Sequence, residues 1–220
     1  MRPVRRGDCP QDASGQDLSF SAYQQARGEL IRRLGEYCCY CEMHLDASLA
    51  VEHVQPMKPP GALANLPERE LAWDNFLLSC TNCNSTKGNT DVVLADYLWP
   101  DRDDTFRALS YKKGGLVEAA ASPQQSSAQR LIELVGLHKL SDTDEAADRR
   151  WHNRREAWDM AERSKRNLLL CPNDAMRDQI IVAATAKGYW SVWMTVFADD
   201  PEMTARLIRA FPGTHTDLFA

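Results

Sequence analysis

Apolar side chains recur at intervals of three and four through residues 19–34, at Phe20, Tyr23, Ala26, Leu30, Ile31 and Leu34. That spacing places them on one face of an amphipathic helix, with a Ser or Asp cap expected at its start and Gly35 as its stop. Residues 1–16 have neither helical nor strand period and contain Gly7, Pro10 and Gly15, so a disordered or loosely wrapped arm is expected there. Two short strand-like pieces, residues 50–54 and 75–79, flank a loop rich in Pro, Gly and Asn. Residues 106–120 read as a β-hairpin turning at Gly114 and Gly115, and residues 122–127 as a Pro, Gln and Ser linker. Helical period then dominates, at residues 128–135, about 144–166, 175–187 and 202–210. The run 189–197 is too apolar for a free surface and reads as core or as a partner interface. The pattern predicts an α+β protein in four parts: arm and helix over 1–36, a small cysteine-rich domain over 37–100, hairpin and linker over 101–124, and a mainly helical region over 125–220.

Composition narrows the class. A chain of 220 residues is long enough to bury a core, and 44% hydrophobic with 26% charged residues is ordinary for a globular protein. Nothing in it approaches the eighteen or more consecutive apolar residues of a membrane span. The first residues carry charge but lead into a polar stretch rather than the apolar segment of a secretory signal, so the cytoplasm is the expected location. A net charge of −5 argues against coating nucleic acid by bulk attraction, and any such contact must be local.

In a reducing compartment the seven cysteines point to metal rather than disulfides, because four of them form two Cys-x-x-Cys pairs, Cys38 with Cys41 and Cys80 with Cys83. Two such pairs a few tens of residues apart match structural tetrahedral zinc. Cys39 is the alternative to Cys38, and His44 is a weaker candidate ligand; Cys9 and Cys171 lack a partner in sequence. The competing readings are four cysteines packed as small hydrophobes and a thioredoxin-like redox pair, which fits worse. Four thiolates leave a zinc ion no open position, so this metal staples the fold and does not catalyse.

The cysteine pairs adjoin three further segments: Val51-Glu52-His53-Val54-Gln55-Pro56, Trp73-Asp74-Asn75-Phe76-Leu77-Leu78 and Cys83-Asn84-Ser85-Thr86-Lys87-Gly88. On these residues the chain resembles the HNH endonucleases, of ββα-metal fold. The resemblance implies phosphodiester hydrolysis with His53 as general base, an imidazole being well suited to activating water near neutral pH. It implies a magnesium or manganese ion on Glu52 and Asn84, since such cations take few protein oxygens and keep several waters. Asn75 would hold the base through backbone or ring hydrogen bonds. Lys87, one turn past Asn84, would meet a substrate phosphate near a helix N-terminus. Two positions depart from the common pattern: the final letter, often His, is Asn84, and the residue before the base, commonly Asp or His, is Glu52.

The most basic stretch, Arg149, Arg150, Arg154, Arg155, Arg163, Lys165 and Arg166, is interleaved with Trp151 and Trp158. It reads either as a DNA-contacting face or as a solvated helix packing through its tryptophans. His138, His152 and His215 stand apart from any cluster and are taken as structural. The wider layout, with Glu42 after the second cysteine of the first pair, the Gly114-Gly115 hairpin and the helix around residues 131–137, resembles the HNH subunits of Septu-type and retron-associated anti-phage systems. That resemblance implies a nuclease held in check or delivered by an ATPase partner of the ABC or SMC-like kind; DNA is the favoured substrate, and restriction of foreign DNA by a free-standing enzyme is the alternative. The alternative function is a non-catalytic zinc module that binds nucleic acid or protein.

Overall fold

The computed structural model describes residues 1–140 and 148–218. Its first helix, α1 (Arg27–Leu34), turns Leu30 and Leu34 inward and stops at Gly35, whose φ of 75° is open to glycine at little cost. The expected Ser or Asp cap is replaced. A 3₁₀ turn, Tyr23–Ala26, leads into α1, and Ser21 and Gln25 bond each other reciprocally at 3.0 Å instead of capping the helix.

The two strand-like pieces pair as an antiparallel ribbon, β1 (Ala50–His53) with β2 (Phe76–Ser79), Glu52 opposite Leu77 and His53 opposite Phe76. Between them the loop carries a single helical turn, α2 (Pro67–Glu70). From the end of β2 the chain enters α3 (Thr81–Lys87), capped by the Cys80 sulfur, which accepts from Cys83 N. This β1–β2–α3 unit holds every candidate site residue except Cys38 and Cys41, which lie just before it.

A further turn, α4 (Thr105–Ala108), precedes the hairpin of β3 (Leu109–Lys112) and β4 (Leu116–Ala119). Its tip presses on the long helix that follows: a Cβ on Gly115 would lie 2.8 Å from Arg155 N. Then come α5 (Gln125–Leu134), α6 (Arg150–Leu170), α7 (Asp174–Lys187), α8 (Trp190–Val196) and α9 (Pro201–Ala210). The expected start of α6 at residues 144–147 lies outside the described residues. Among the described residues no helix is long and apolar enough to cross a membrane.

Three expectations about packing resolve or change. The apolar run 189–197 is core rather than interface, since α8 buries Trp190 and Trp193 completely. The N-terminal arm is not loose: residues 1–4 are buried, Val4 N bonds Pro100 O at 2.7 Å, and the Arg2 guanidinium bonds Leu34 O at 2.8 Å and Pro212 O at 2.6 Å. The basic helix is not a DNA-facing surface at its start, because Arg150 and Arg154 are buried. Arg154 donates to Gly115 O at 2.6 Å and Leu137 O at 3.0 Å, while Arg150 donates to Val135 O at 2.6 Å. Buried guanidinium groups survive when their donors meet fixed carbonyls, and here the hairpin tip and the end of α5 provide them.

Candidate active site and zinc centre

Cys38, Cys41, Cys80 and Cys83 bring their four sulfurs within 4.8 Å of one another, all buried. The Cys41 and Cys80 sulfurs are 3.7 Å apart, which matches the edge of about 3.8 Å in a tetrahedron with zinc–sulfur bonds of about 2.3 Å. Backbone amides support the thiolates at both pairs, Cys41 N to the Cys38 sulfur at 3.5 Å and Cys83 N to the Cys80 sulfur at 3.4 Å. The donor set and its spacing fit zinc. Cys39 stays out of the group, its thiol pushed up to about 12 by burial. His44 instead lies 3.9 Å from Glu36, Cys9 bonds Leu18 O, and Cys171 is exposed. Among the remaining histidines His138 is exposed, His152 lies against Trp151, and His215 contacts Arg5.

Beside α3 a cleft of about 350 Å³ is lined by Glu52, His53, Asn84, Tyr23, Met57, Lys58 and Asn89 together with Val51, Pro56 and Gly88. β1 delivers Glu52 and His53 consecutively, and the first turn of α3 past the cysteines delivers Asn84. His53 Nε2 lies 3.0 Å from the Glu70 carbonyl oxygen. A carbonyl only accepts, so Nε2 carries the proton and Nδ1 is left as the ring's acceptor nitrogen. The ring packs edge-on to Tyr23 and Phe76 at 4.8 and 5.3 Å. Burial pulls its pKa below the usual imidazole value, with the Lys87 charge adding to that and the Glu70 carbonyl opposing it. The imidazole is therefore neutral near pH 7.

Asn75 reaches His53 only through the backbone. Its Oδ1 accepts from Gln55 N at 2.7 Å, and its Nδ2 donates to Gln55 O and Arg69 O, both at 2.8 Å. It thereby ties the chain leaving His53 to the peptide next to the Glu70 carbonyl that holds the ring.

Glu52 is 3% exposed, and burial raises its carboxyl to about 7 against the opposing charge of Lys87. Lys87 Nζ lies 2.9 Å from Glu52 Oε1, but its aligned hydrogen bond goes to His53 O at 2.8 Å. Glu52 Oε1 is thus buried beside an ammonium without an aligned hydrogen bond. The expected phosphate contact by Lys87 changes accordingly. Lys87 is the last residue of α3 rather than near its start, is 1% exposed, and is engaged by Glu52 and the His53 carbonyl.

Sequence reasoning passed over Tyr23, Lys58 and Asn89 in the cleft. Lys58 alone among these had a readable signal, an exposed cation five residues past His53 in a Pro-rich loop. Tyr23 reaches the cleft through the packing of the N-terminal 3₁₀ turn on β1, which spacing does not disclose.

Residues 38–90 match the HNH endonuclease family model, a span that holds all four cysteines together with Glu52, His53, Asn75, Asn84 and Lys87. No curated protein matches the chain.

Proposed function

We propose that this protein is a metal-dependent endonuclease that hydrolyses phosphodiester bonds in nucleic acid, with DNA as the favoured substrate. The observation that carries the reading is the His53 ring, held by the Glu70 carbonyl in the tautomer that leaves Nδ1 basic, in one cleft with Glu52 and Asn84.

The attacking water gives its proton to Nδ1 of His53 as its oxygen bonds to phosphorus, and the bond from phosphorus to the leaving sugar oxygen breaks, that oxygen departing with the electron pair and taking a proton from solvent. General-base assistance of this kind contributes about 10² to 10⁴ in rate. Asn75 and the Glu70 carbonyl keep the ring from turning, and Tyr23 and Phe76 keep it from tilting. Glu52 and Asn84 are the residues that would hold a magnesium or manganese ion. The buried Glu52 Oε1 without an aligned hydrogen bond fits that use, as does a pair of protein oxygens that leaves room for water ligands. When bound, such a cation neutralises charge on the scissile phosphate and the leaving oxygen. Lys87 keeps Glu52 in place beside the cleft, and the exposed Lys58 supplies a cation for a neighbouring phosphate.

The finer reading is an anti-phage nuclease working with an ABC or SMC-like ATPase subunit. It is supported by the resemblance of the sequence to the HNH subunits of Septu-type and retron-associated systems at Glu42, the Gly114-Gly115 hairpin and the helix around residues 131–137. Co-expression with such a subunit should lower phage plating, and His53→Ala should abolish that protection.

The test of activity is cleavage of supercoiled plasmid, single-stranded DNA and RNA with magnesium, with manganese and with neither. Nicked or linear plasmid that depends on the added cation and vanishes in His53→Ala supports the proposal. Asn84→Ala should regain part of its rate as magnesium is raised. Cation-dependent binding without cleavage of any substrate favours the non-catalytic zinc module instead.

A further inference from the structure

The zinc centre has a neighbour that lies outside the matched segment. Arg150, at the start of α6, points Nη1 at the Cys83 sulfur from 3.0 Å. The same guanidinium donates to Val135 O at 2.6 Å and grips Asp148 through Nε at 2.9 Å and Nη2 at 2.6 Å. Its side chain is 3% exposed. Asp148 in turn accepts from Asn82, a residue inside the second cysteine pair, at 3.4 Å. Gly136, at the end of α5, sits so close to α3 that a Cβ there would lie 2.9 Å from Thr86 Cγ2. The second cysteine pair is therefore seated in a socket made by the ends of α5 and α6.

The first pair is seated as well, by a different residue. Glu42 directly follows Cys41 in the left-handed region, at φ 66°. Its carboxylate accepts from Ser191 N at 2.8 Å and Ser191 Oγ at 2.6 Å, and its carbonyl accepts from Tyr189 N at 2.8 Å. It thus satisfies free amides at the start of α8, where Tyr189 makes no side-chain cap. Each cysteine pair holds the beginning of one C-terminal helix.

Charge explains why the Arg150 contact matters for the metal. Four thiolates around a divalent ion leave a net charge of about −2. Burying that charge is costly unless a cation and hydrogen bonds answer it. Among the described residues Arg150 is the cation whose hydrogen bond reaches a cysteine sulfur of the cluster.

We propose that Arg150 is a positioning residue of the zinc centre, and that zinc retention and docking of α6 are one linked equilibrium. Removing a hydrogen-bond partner of a metal ligand typically weakens metal binding about 10- to 100-fold. By reciprocity, losing zinc loosens the start of α6 by the same factor.

The test is competition for zinc between the folded protein and a colorimetric chelator, comparing wild type, Arg150→Met, Arg150→Lys and Arg154→Met. A second readout is the sulfur-to-cobalt charge-transfer band of the cobalt-substituted proteins. Arg150→Met should lose zinc about 10- to 100-fold more readily and shift the cobalt band, and Arg150→Lys should recover part of the retention through its charge. Arg154→Met removes an equally buried clamp that touches no zinc-site sulfur, so it should lower stability while leaving both metal readouts unchanged. Should Arg150→Met fail to fold, Asp148→Asn, which keeps the guanidinium but frees it, should move both readouts in the same direction by a smaller factor. Unchanged zinc retention and an unmoved cobalt band in the folded Arg150 or Asp148 variants overturn the proposal. Equal metal loss in Arg154→Met overturns it too, by assigning the effect to general destabilisation.

Discussion

The seven-residue helix α3 serves two sites that contrast in almost every respect. Its start belongs to the cysteine cluster, where four buried sulfurs face one another and backbone amides and Arg150 answer their charge. Its next turn belongs to the cleft, where Asn84 is half-exposed, Glu52 Oε1 lacks an aligned hydrogen bond, and the His53 ring keeps one nitrogen basic. A saturated site contributes to stability. An unsaturated one holds groups ready for chemistry, and it keeps its geometry because the saturated site a few residues away fixes the helix.

The strongest way to break this contrast is at the closed end. Cys80→Ser removes a sulfur of the cluster but keeps a side-chain acceptor at the N-cap of α3, so its effect reports the metal site. Structural zinc is worth roughly 10 kcal/mol or more to folding, as much as the whole stability of a typical domain, about 5 to 15 kcal/mol. The variant should lose its cooperative thermal transition, while wild type should carry about one zinc per chain by metal analysis. Well-folded wild type without zinc would undo the assignment.

At the open end the effects are smaller and depend on conditions. The Glu52 carboxyl is raised by burial to about 7, so below that pH a proton occupies the group proposed to hold the cation. A raised carboxyl binds its proton through the range between its ordinary value and pH 7, and metal binding must expel it. The magnesium concentration giving half-maximal cleavage should therefore rise by about tenfold per pH unit below pH 7 and level off above pH 8. Magnesium titrations at pH 6, 7 and 8 check this, and a half-saturation point independent of pH contradicts it.

The mildest effect belongs to Lys58. Lys58→Ala should weaken substrate binding and make its salt dependence shallower by about 0.9 in slope, the share of one phosphate contact, with kcat nearly unchanged. Binding isotherms at several salt concentrations, measured in the His53→Ala background to prevent turnover, give the slope. An unaltered slope removes Lys58 from the substrate path.

How much of this was legible in the residues depends on whether a partner lies nearby in sequence. The ribbon is legible because β1 and β2 are short apolar runs bounded by turn residues, and the cysteine pairs because zinc demands their spacing. Glu52, His53 and Asn84 are legible for the same reason, each having a fixed offset from a cysteine or a strand. The arm is not legible. Its polar composition suggests exposure, yet Arg2 finds carbonyls at Leu34 and Pro212 and residues 1–4 enter the core. Arg150 and Arg154 show the same limit from the other side: charge and helical spacing look like a nucleic-acid face until the carbonyls of Gly115, Val135 and Leu137 are seen waiting for them. Lys87 was placed by spacing one turn from Asn84, but its engagement by Glu52 across the β1–α3 contact is a tertiary fact.

The central claim is that His53 takes the proton of the attacking water, and single-turnover cleavage by His53→Gly with and without added imidazole tests it most directly. The glycine removes the ring and leaves a space that free imidazole can enter, whereas the four cysteines of the cluster are untouched. The account predicts a loss of about 10² to 10⁴ in rate, partly restored by imidazole with a pH dependence that follows the unprotonated ring. Cleavage by His53→Gly at the wild-type rate without imidazole would contradict it.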